Sequence, residues 1–352
     1  MAAAAVAWLV EQRREDVEAR SLAELALGLF VVLAGLSFIF APAGFGSAFG
    51  DFLGAGELAV LAYLTSRFAA DRWAFGVIVR VVTVTSLLVV GAALLGLALF
   101  YADVETSLVG GYGALVASAD YARVQGTLEH PALLGSYCIF ASAVVAQGQD
   151  VLPRRLRQLA QLALALTVVL TFSRAMIGFA LAALIRVADT RRRRALAAVA
   201  GLACIAAMAL LSFAAISFDP SHPFDLRVTT AREPVRSQEL TAAIETSADH
   251  PLLGTGPGSL PGEAEGYGRR QAHNTPVGVA ATLGVPALLA LMALLALTWR
   301  DRSRPTNRAT WGGLAGLGID GLGQDVEHFR HVWVLIGVAW AQRRSTTSRL
   351  ET

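Results

Sequence analysis

No lysine occurs in this chain; all 29 basic residues are arginine, a compositional bias from which no function follows by itself. Cysteine is nearly absent too. Cys138 and Cys204 lie in separate apolar runs without a partner at metal or redox spacing. That excludes a Cys-based zinc or redox motif and makes both small buried hydrophobes. Charge is scarce: 16% of the 352 residues are charged and 55% are hydrophobic, whereas an ordinary soluble domain carries about 25% charged residues. The mean hydropathy is +0.55. The apolar Ala2–Val10 lacks a preceding basic region and is followed by EQRREDVEAR, so no cleavable signal peptide is expected. Repeats, low-complexity segments and a soluble second domain are also missing.

What is present is a series of apolar runs near the length that spans a bilayer. Such long, non-alternating runs exclude a β-barrel and leave helices as the spanning element. The expected fold is all-α: a single polytopic membrane domain over residues 1–352. Arginine clusters mark cytoplasmic loops and thread the chain. Arg13, Arg14 and Arg20 place the N-terminus inside. Leu22–Phe40 crosses outward and turns through PAGFGSAFG; Phe52–Ala69 returns; Phe75–Tyr101 goes out to a loop over Ala102–His130; Pro131–Gln147 comes back to Arg154, Arg155 and Arg157.

Gln158–Arg186 is nearly all apolar, with Ser173 and Arg174 at its middle. One long helix would strand arginine clusters on both sides of the membrane. Two short arms meeting at Thr171–Arg174 keep both clusters cytoplasmic, so a recessed hairpin is expected. Ala195–Ser217 then crosses outward, and residues 218–272 form one large extracytoplasmic loop. Within it Pro234–Ser247 reads as a helix, capped by Glu233, with Arg236 in its first turn and Leu240 and Ile244 on one face. His250 precedes Pro251 and closes that helix. Asn274–Leu297 returns inward. Thr310–Leu322 and Val332–Trp340 flank an outer turn with Asp320, Asp325, His328, Arg330 and His331, and Arg343 and Arg344 hold the C-terminus inside. The threading gives about ten spans.

The candidate chemistry gathers on the outer side. Arginine at membrane depth is costly and faces a cavity or an anion, so Arg174 is a candidate phosphate clamp. Arg236, in the first turn of a helix whose N–H groups already favour anions, is a second; Arg232, Arg269 and Arg270 are neighbours able to share its role. His273 titrates near neutral pH and can take a proton from an alcohol or bond a phosphate. His328 and His331 with Asp325 make only a weak metal alternative, with no HExxH beside them. GTGPGSLPG has neither the strand–helix setting of a dinucleotide loop nor a Gly-Lys-Ser/Thr. Its prolines suit a turn, and it reads as a hinge that lowers the outer loop onto the membrane.

In this order the residues resemble the bacterial O-antigen ligases and the related O-antigen polymerases. The match is carried by GTLEHPALLGSY (126–137), LTFSRAMIGFALAAL (170–184), Arg236 followed by HPLLGTGPG (250–258), His273-Asn274 followed by Gly284, and DVEHFRHVWVLIGVAW (325–340). Ala287 and a span count below the family's usual one depart from the pattern. The resemblance covers about residues 120–340.

It implies a GT-C-like glycosyltransferase in the bacterial inner membrane. The donor would be a glycan on undecaprenyl pyrophosphate and the acceptor a hydroxyl of a glycan, lipid or protein, met on the extracytoplasmic side. Membrane lipids would be its other partners, with no cofactor, metal or nucleic acid. The resemblance assigns Arg174 and Arg236 to the pyrophosphate and His273 to the meeting point of donor and acceptor. Arg123, His130, Ser173, Asn274, Arg232, Arg269 and Arg270 are candidate substrate contacts. A polymerase with the same chemistry, or a polyprenyl-lipid transporter, is the alternative.

Overall fold

The computed structural model describes residues 22–40, 45–102, 104, 123–171, 173–188, 192, 195–196, 199, 202–203, 233–258, 260, 272–299 and 308–342, and of residues 45–47, 233–237 and 342 the backbone only. Among these residues the secondary structure is helical throughout. The helices are α1 (Leu22–Phe40), α2 (Phe45–Phe68), α3 (Arg72–Tyr101), α4 (Pro131–Ala146), α5 (Arg154–Leu170), α6 (Ala175–Val187), α7 (Glu233–Asp249), α8 (Thr275–Leu283), α9 (Val285–Trp299), α10 (Arg308–Asp320) and α11 (Arg330–Gln342). Three of them, Leu22–Phe40, Ala48–Phe68 and Arg72–Tyr101, are long and apolar enough to cross a membrane. Pro131–Ala146, Ala175–Val187, Val285–Thr298 and Arg330–Ala341 are apolar but shorter.

The packing is that of a protein with an apolar exterior. On α3 the buried positions are Gly76, Val79, Thr83, Ser86, Val90, Ala93 and Gly96, while Val81, Val84, Leu88 and Leu95 are exposed. Small and hydroxyl-bearing residues face the neighbouring helices and large aliphatics face outward, as suits a helix surrounded by lipid. The inward hydroxyls cost little, because Thr83 donates to the Val79 carbonyl and Ser86 to the Thr83 carbonyl.

Helix α11 is buried along most of its length. Trp333, Leu335, Ile336, Val338, Ala339 and Trp340 are buried, with Trp333 packed against Phe30 and Trp340 against Tyr63. Gly337 lets the backbone of α2 approach: a Cβ there would come within 2.5 Å of the Ala62 carbonyl oxygen.

Backbones also meet where α6 crosses α10. A Cβ on Gly178 would lie 2.3 Å from the Gly316 oxygen, and one on Gly312 would lie 2.6 Å from the Ala182 oxygen. Gly312 and Gly316 are four apart on one helix, Gly178 and Ala182 four apart on the other. This is the small-xxx-small geometry by which membrane helices gain dispersion contacts without a hydrophobic driving force.

The expected hairpin is there: α5 and α6 are separate helices that break at 171–174. Arg186 near the end of α6 donates to Gln161 in the first half of α5, Nη1 to Oε1 2.9 Å. A continuous helix would hold those residues about 37 Å apart, so the arms must fold back. Gln161 also bonds Ser142 Oγ and the Ser142 carbonyl, which ties α4 into the same junction.

Several expectations need correction. PAGFGSAFG is not all turn, since α2 begins at Phe45. On α7 the buried face runs through Leu240, Ala243 and Thr246, leaving Ile244 45% exposed. Asn274–Leu297 is not one helix but two, broken at Gly284, where φ is 90° and ψ 160°. Pro286 lacks the N–H that would bond the Thr282 carbonyl in a continuous helix. That carbonyl instead accepts from Gly256 N at 2.9 Å and from Ser37 Oγ at 2.9 Å.

The freed groups on either side are met as well. Thr255 N donates to the Ala281 oxygen at 3.0 Å and Val285 N to the Pro251 oxygen at 2.8 Å. PLLGTG is therefore a turn docked on the break, with Gly254, Thr255, Gly256 and Pro257 all buried, rather than a hinge. The Ala2–Val10 segment, most of Ala195–Ser217 and the parts of loop 218–272 outside α7 and this turn fall outside the described residues.

Candidate active site

Three segments converge at one end of the bundle: the α5–α6 break, the N-terminus of α4, and the turn between α10 and α11 with the start of α8. The break is pinned by Arg123, whose Nε donates to the Thr171 carbonyl at 2.9 Å. Thr171 Oγ1 and Ser173 Oγ bond each other at 2.7 Å, and both residues are buried. Arg174 follows, half-buried, directly before α6, where its carbonyl takes the Ile177 N–H. Arg174 thus stands at the positive end of the α6 dipole, the end of a helix that favours an anion.

Helix α4 packs onto this break through Gly135, where a Cβ would meet Ser173 Oγ at 2.6 Å. His130 caps that helix, its Nδ1 accepting from Leu133 N at 3.1 Å, and its ring lies against Phe329 with centroids 6.4 Å apart. One turn into α4, Ser136 Oγ bonds His331 Nε2 at 2.8 Å. Of the other histidines, His331 bonds Ser136, and His328 Nε2 lies 3.5 Å from Glu327 Oε1.

His273 sits at the centre of the third segment. Its φ is 50°, the one positive value at a non-glycine position among the described residues. Such a backbone costs on the order of 1–3 kcal/mol and must be held by its surroundings. Asp325 holds it: Oδ2 accepts from His273 N and Oδ1 from Asn274 N, each at 3.1 Å. Asn274 then caps α8, accepting from Val277 N and donating from Nδ2 to the Leu322 carbonyl, both at 3.1 Å. Its side chain is spent on holding the helix start, a positioning role.

Thr275 completes the cradle. It donates to Glu327 Oε2 at 2.6 Å and accepts from Val326 N at 2.8 Å. Gly278 makes room, since a Cβ there would lie 3.2 Å from Asp325 Oδ1 and 3.4 Å from Glu327 Oε1. Burial, and the neighbouring charge of Glu327, push the Asp325 carboxyl well above the usual carboxylate range. Burial likewise pushes Glu327 up to about 7 against the hydrogen bond from Thr275.

The imidazole of His273 reaches the other way, to α7. Its Nε2 lies 3.2 Å from Glu239 Oε2, with the histidine side chain 27% exposed and the glutamate 11%. Glu239 is three residues after Arg236, so the two positions share a face of α7.

The structure thus brings His130, Ser173, Arg174, Arg123, Asn274 and His273 to one end of the bundle. Arg236 is placed on α7 by its backbone, while Arg232, Arg269 and Arg270 lie outside the described residues. Sequence reasoning missed Glu239 and Glu327. Glu239 stands one turn beyond Arg236, and Glu327 lies inside the DVEH run, so their positions were visible and their partners were not.

Residues 159–292 match the family model described as O-antigen ligase, which supports an O-antigen ligase family for this chain. The match contains Arg174, Arg236, Glu239 and His273, and stops short of Arg123, Asp325 and Glu327. Among curated proteins no relative was found. Members of this family are glycosyl-transfer enzymes that act on lipid-linked glycans at membranes, and the apolar helices of this chain agree with a membrane location.

Proposed function

We propose that the protein is a multi-pass inner-membrane glycosyltransferase. It takes a glycan from undecaprenyl pyrophosphate and joins it to an acceptor hydroxyl on the extracytoplasmic side. The threading by arginine clusters, about ten spans with both termini cytoplasmic, supports that side for the site. The observation that carries the reading is the fixed, strained His273, held by Asp325 and turned toward α7, the helix on which Arg236 stands.

In this reading the acceptor oxygen attacks the anomeric carbon, the bond from that carbon to the pyrophosphate oxygen breaks, and the electron pair leaves with the lipid pyrophosphate. Arg174 and Arg236 neutralise the charge that develops on the leaving group. His273 takes the acceptor proton. Arg123, with the Thr171–Ser173 pair, keeps Arg174 at the recessed tip of the hairpin, and His130 and Asn274 fix the helix starts on either side.

The test uses full-length protein in detergent with an undecaprenyl-pyrophosphate oligosaccharide, run beside His273→Ala, with products sized. One acceptor-dependent product is expected of a ligase, and a ladder of repeats without added acceptor of a polymerase. Turnover that persists in well-folded His273→Ala removes the reading. Absence of turnover by the wild type with any acceptor, together with movement of the labelled lipid across vesicles, replaces it with transport.

A further inference from the structure

We infer that Glu239 is a positioning residue that acts through His273, fixing the tautomer and ring orientation in which the imidazole receives the acceptor proton. The inference rests on the glycosyl-transfer reading above and adds to it a residue that neither the sequence motifs nor the family pattern pointed to.

The backbone and the ring of His273 are held from opposite sides. Asp325 accepts from the main-chain N–H groups of His273 and Asn274, which fixes where the Cα–Cβ bond points. Glu239 meets the ring itself. With its Oε2 at 3.2 Å from Nε2, the carboxylate accepts the Nε2 proton, and the lone pair of the neutral ring then resides on Nδ1. Proton transfer from an acceptor hydroxyl to Nδ1 creates an imidazolium beside a carboxylate, which stabilises it. A buried carboxylate that holds a catalytic histidine in the correct tautomer does the same in unrelated hydrolases.

The exposures fit this division. Glu239 is nearly enclosed and His273 remains more than twice as accessible, as expected if the ring rather than the carboxylate meets the acceptor. Among the described residues, the α10–α11 turn adds Asp325, Glu327 and His328. Asp325 is engaged by backbone N–H groups, Glu327 by Thr275 and His328 by Glu327. Glu239 Oε2 lies against the ring itself, 3.2 Å from Nε2.

The placement of Glu239 on α7 has a mechanistic reading. Arg236 and Glu239 share a helix face, so a shift of α7 that draws Arg236 onto the lipid pyrophosphate carries the His273 partner with it. Charge neutralisation of the leaving group and activation of the acceptor would then be set by one rigid element. The proton balance is simple: the acceptor proton goes to Nδ1, the Nε2 proton stays shared with Glu239, and the imidazolium later releases its proton to the departing pyrophosphate or to water.

The experiment measures glycan transfer by full-length wild type, Glu239→Gln and Glu239→Asp, with kcat followed from pH 5 to 9 and folding checked by melting. In Glu239→Gln, kcat is expected to fall by about 10²–10⁴-fold. The acid limb of its profile should move to lower pH, because loss of the adjacent negative charge lets the imidazolium release its proton more readily. Glu239→Asp should restore part of the rate and move the limb back. If Glu239→Gln does not fold, Glu239→Asp decides by the same readouts. A folded Glu239→Gln with wild-type kcat and an unmoved acid limb overturns the inference while leaving the transfer reading intact. A wild type without transfer overturns the reading on which it rests.

Discussion

Gly284 is the position where one added methyl group is expected to disable the protein. With φ at 90° and ψ at 160°, its backbone lies in a region that is essentially closed to other residues, at a cost of about 1–3 kcal/mol. Space is closed as well: a Cβ would come within 2.2 Å of the Leu252 carbonyl oxygen and 2.8 Å of Leu253 N. Both obstacles are backbone, so no side chain can swing aside, and the PLLGTG turn must lift from the helix break. Lifting it forfeits the bonds from Thr255 N, Gly256 N and Val285 N, together about 2–4 kcal/mol at ordinary net values.

For Gly284→Ala the combined expectation is a loss of about 3–7 kcal/mol, a large part of a typical folding free energy. The damage should spread to chemistry, because α8 starts at Asn274 and any shift of that helix moves His273. The assay is paired: thermal melting of the purified protein in detergent, and transfer from the lipid-linked donor. Gly318→Ala is the control, a helical glycine with nothing within 4 Å of its would-be Cβ, and should be neutral or slightly stabilising. A Gly284→Ala protein that melts and transfers like wild type would refute the account of the break.

At the α6–α10 crossing, Gly316→Val places its Cβ 2.4 Å from the Gly178 oxygen and is expected to cost about 3 kcal/mol or more. Gly318→Val on the open face of the same helix should be far milder, and equal melting of the two variants would contradict the crossing geometry. Glu327 predicts a pH slope. Its folded value is about 7 against an ordinary 4.5, so below pH 4.5 both folded and unfolded states hold the proton. Between 4.5 and 7 the folded state keeps a proton that the unfolded state releases, and stability falls as pH rises, by about 3 kcal/mol over the window. Glu327→Gln should flatten that part of a melting-versus-pH curve, and an unchanged slope would sink the assignment.

The parts of the fold that could be read from the chain were those written in local composition. Ser173 and Arg174 interrupt a largely apolar run, and the arginine clusters at its two ends forbid a single crossing. The hairpin followed from those facts and is found, closed by Arg186 on Gln161. The break at Gly284 was hidden, because Thr275–Trp299 is apolar from end to end and hydropathy does not register a backbone that turns. Gly284 with Pro286 was the available signal, but its meaning depends on PLLGTG arriving to take the freed carbonyls, a contact made across the sequence. Glycines 178, 312 and 316 were equally readable as residues and unreadable as a crossing. Site residues divided the same way. Single candidates such as His273 and Arg174 stood out by type and depth, whereas the pairing of His273 with Asp325 and Glu239 did not, since pairing is a property of the fold.

The spacing of the family-like pattern has a structural reason in these bonds. Arg236, the PLLGTG turn, His273-Asn274 and Gly284 look like separate motifs on a line, yet three of the four belong to one bonded unit. The turn docks on the break that Gly284 permits, the break sets the direction of α8, and α8 begins at the cap that Asn274 forms beside His273. Helix α7, which carries Arg236, leads directly into the turn, where Gly254 N bonds the His250 carbonyl, and it returns to the unit through Glu239 on the His273 ring. The positions of Arg236 and His273 are therefore linked by a chain of backbone hydrogen bonds and one side-chain contact. Asp325 extends the unit beyond the matched residues 159–292, because without its carboxylate the two N–H groups of His273 and Asn274 would lose their acceptor and the strained φ its support. His273 thus depends on the α10–α11 turn as much as on the segment that contains it.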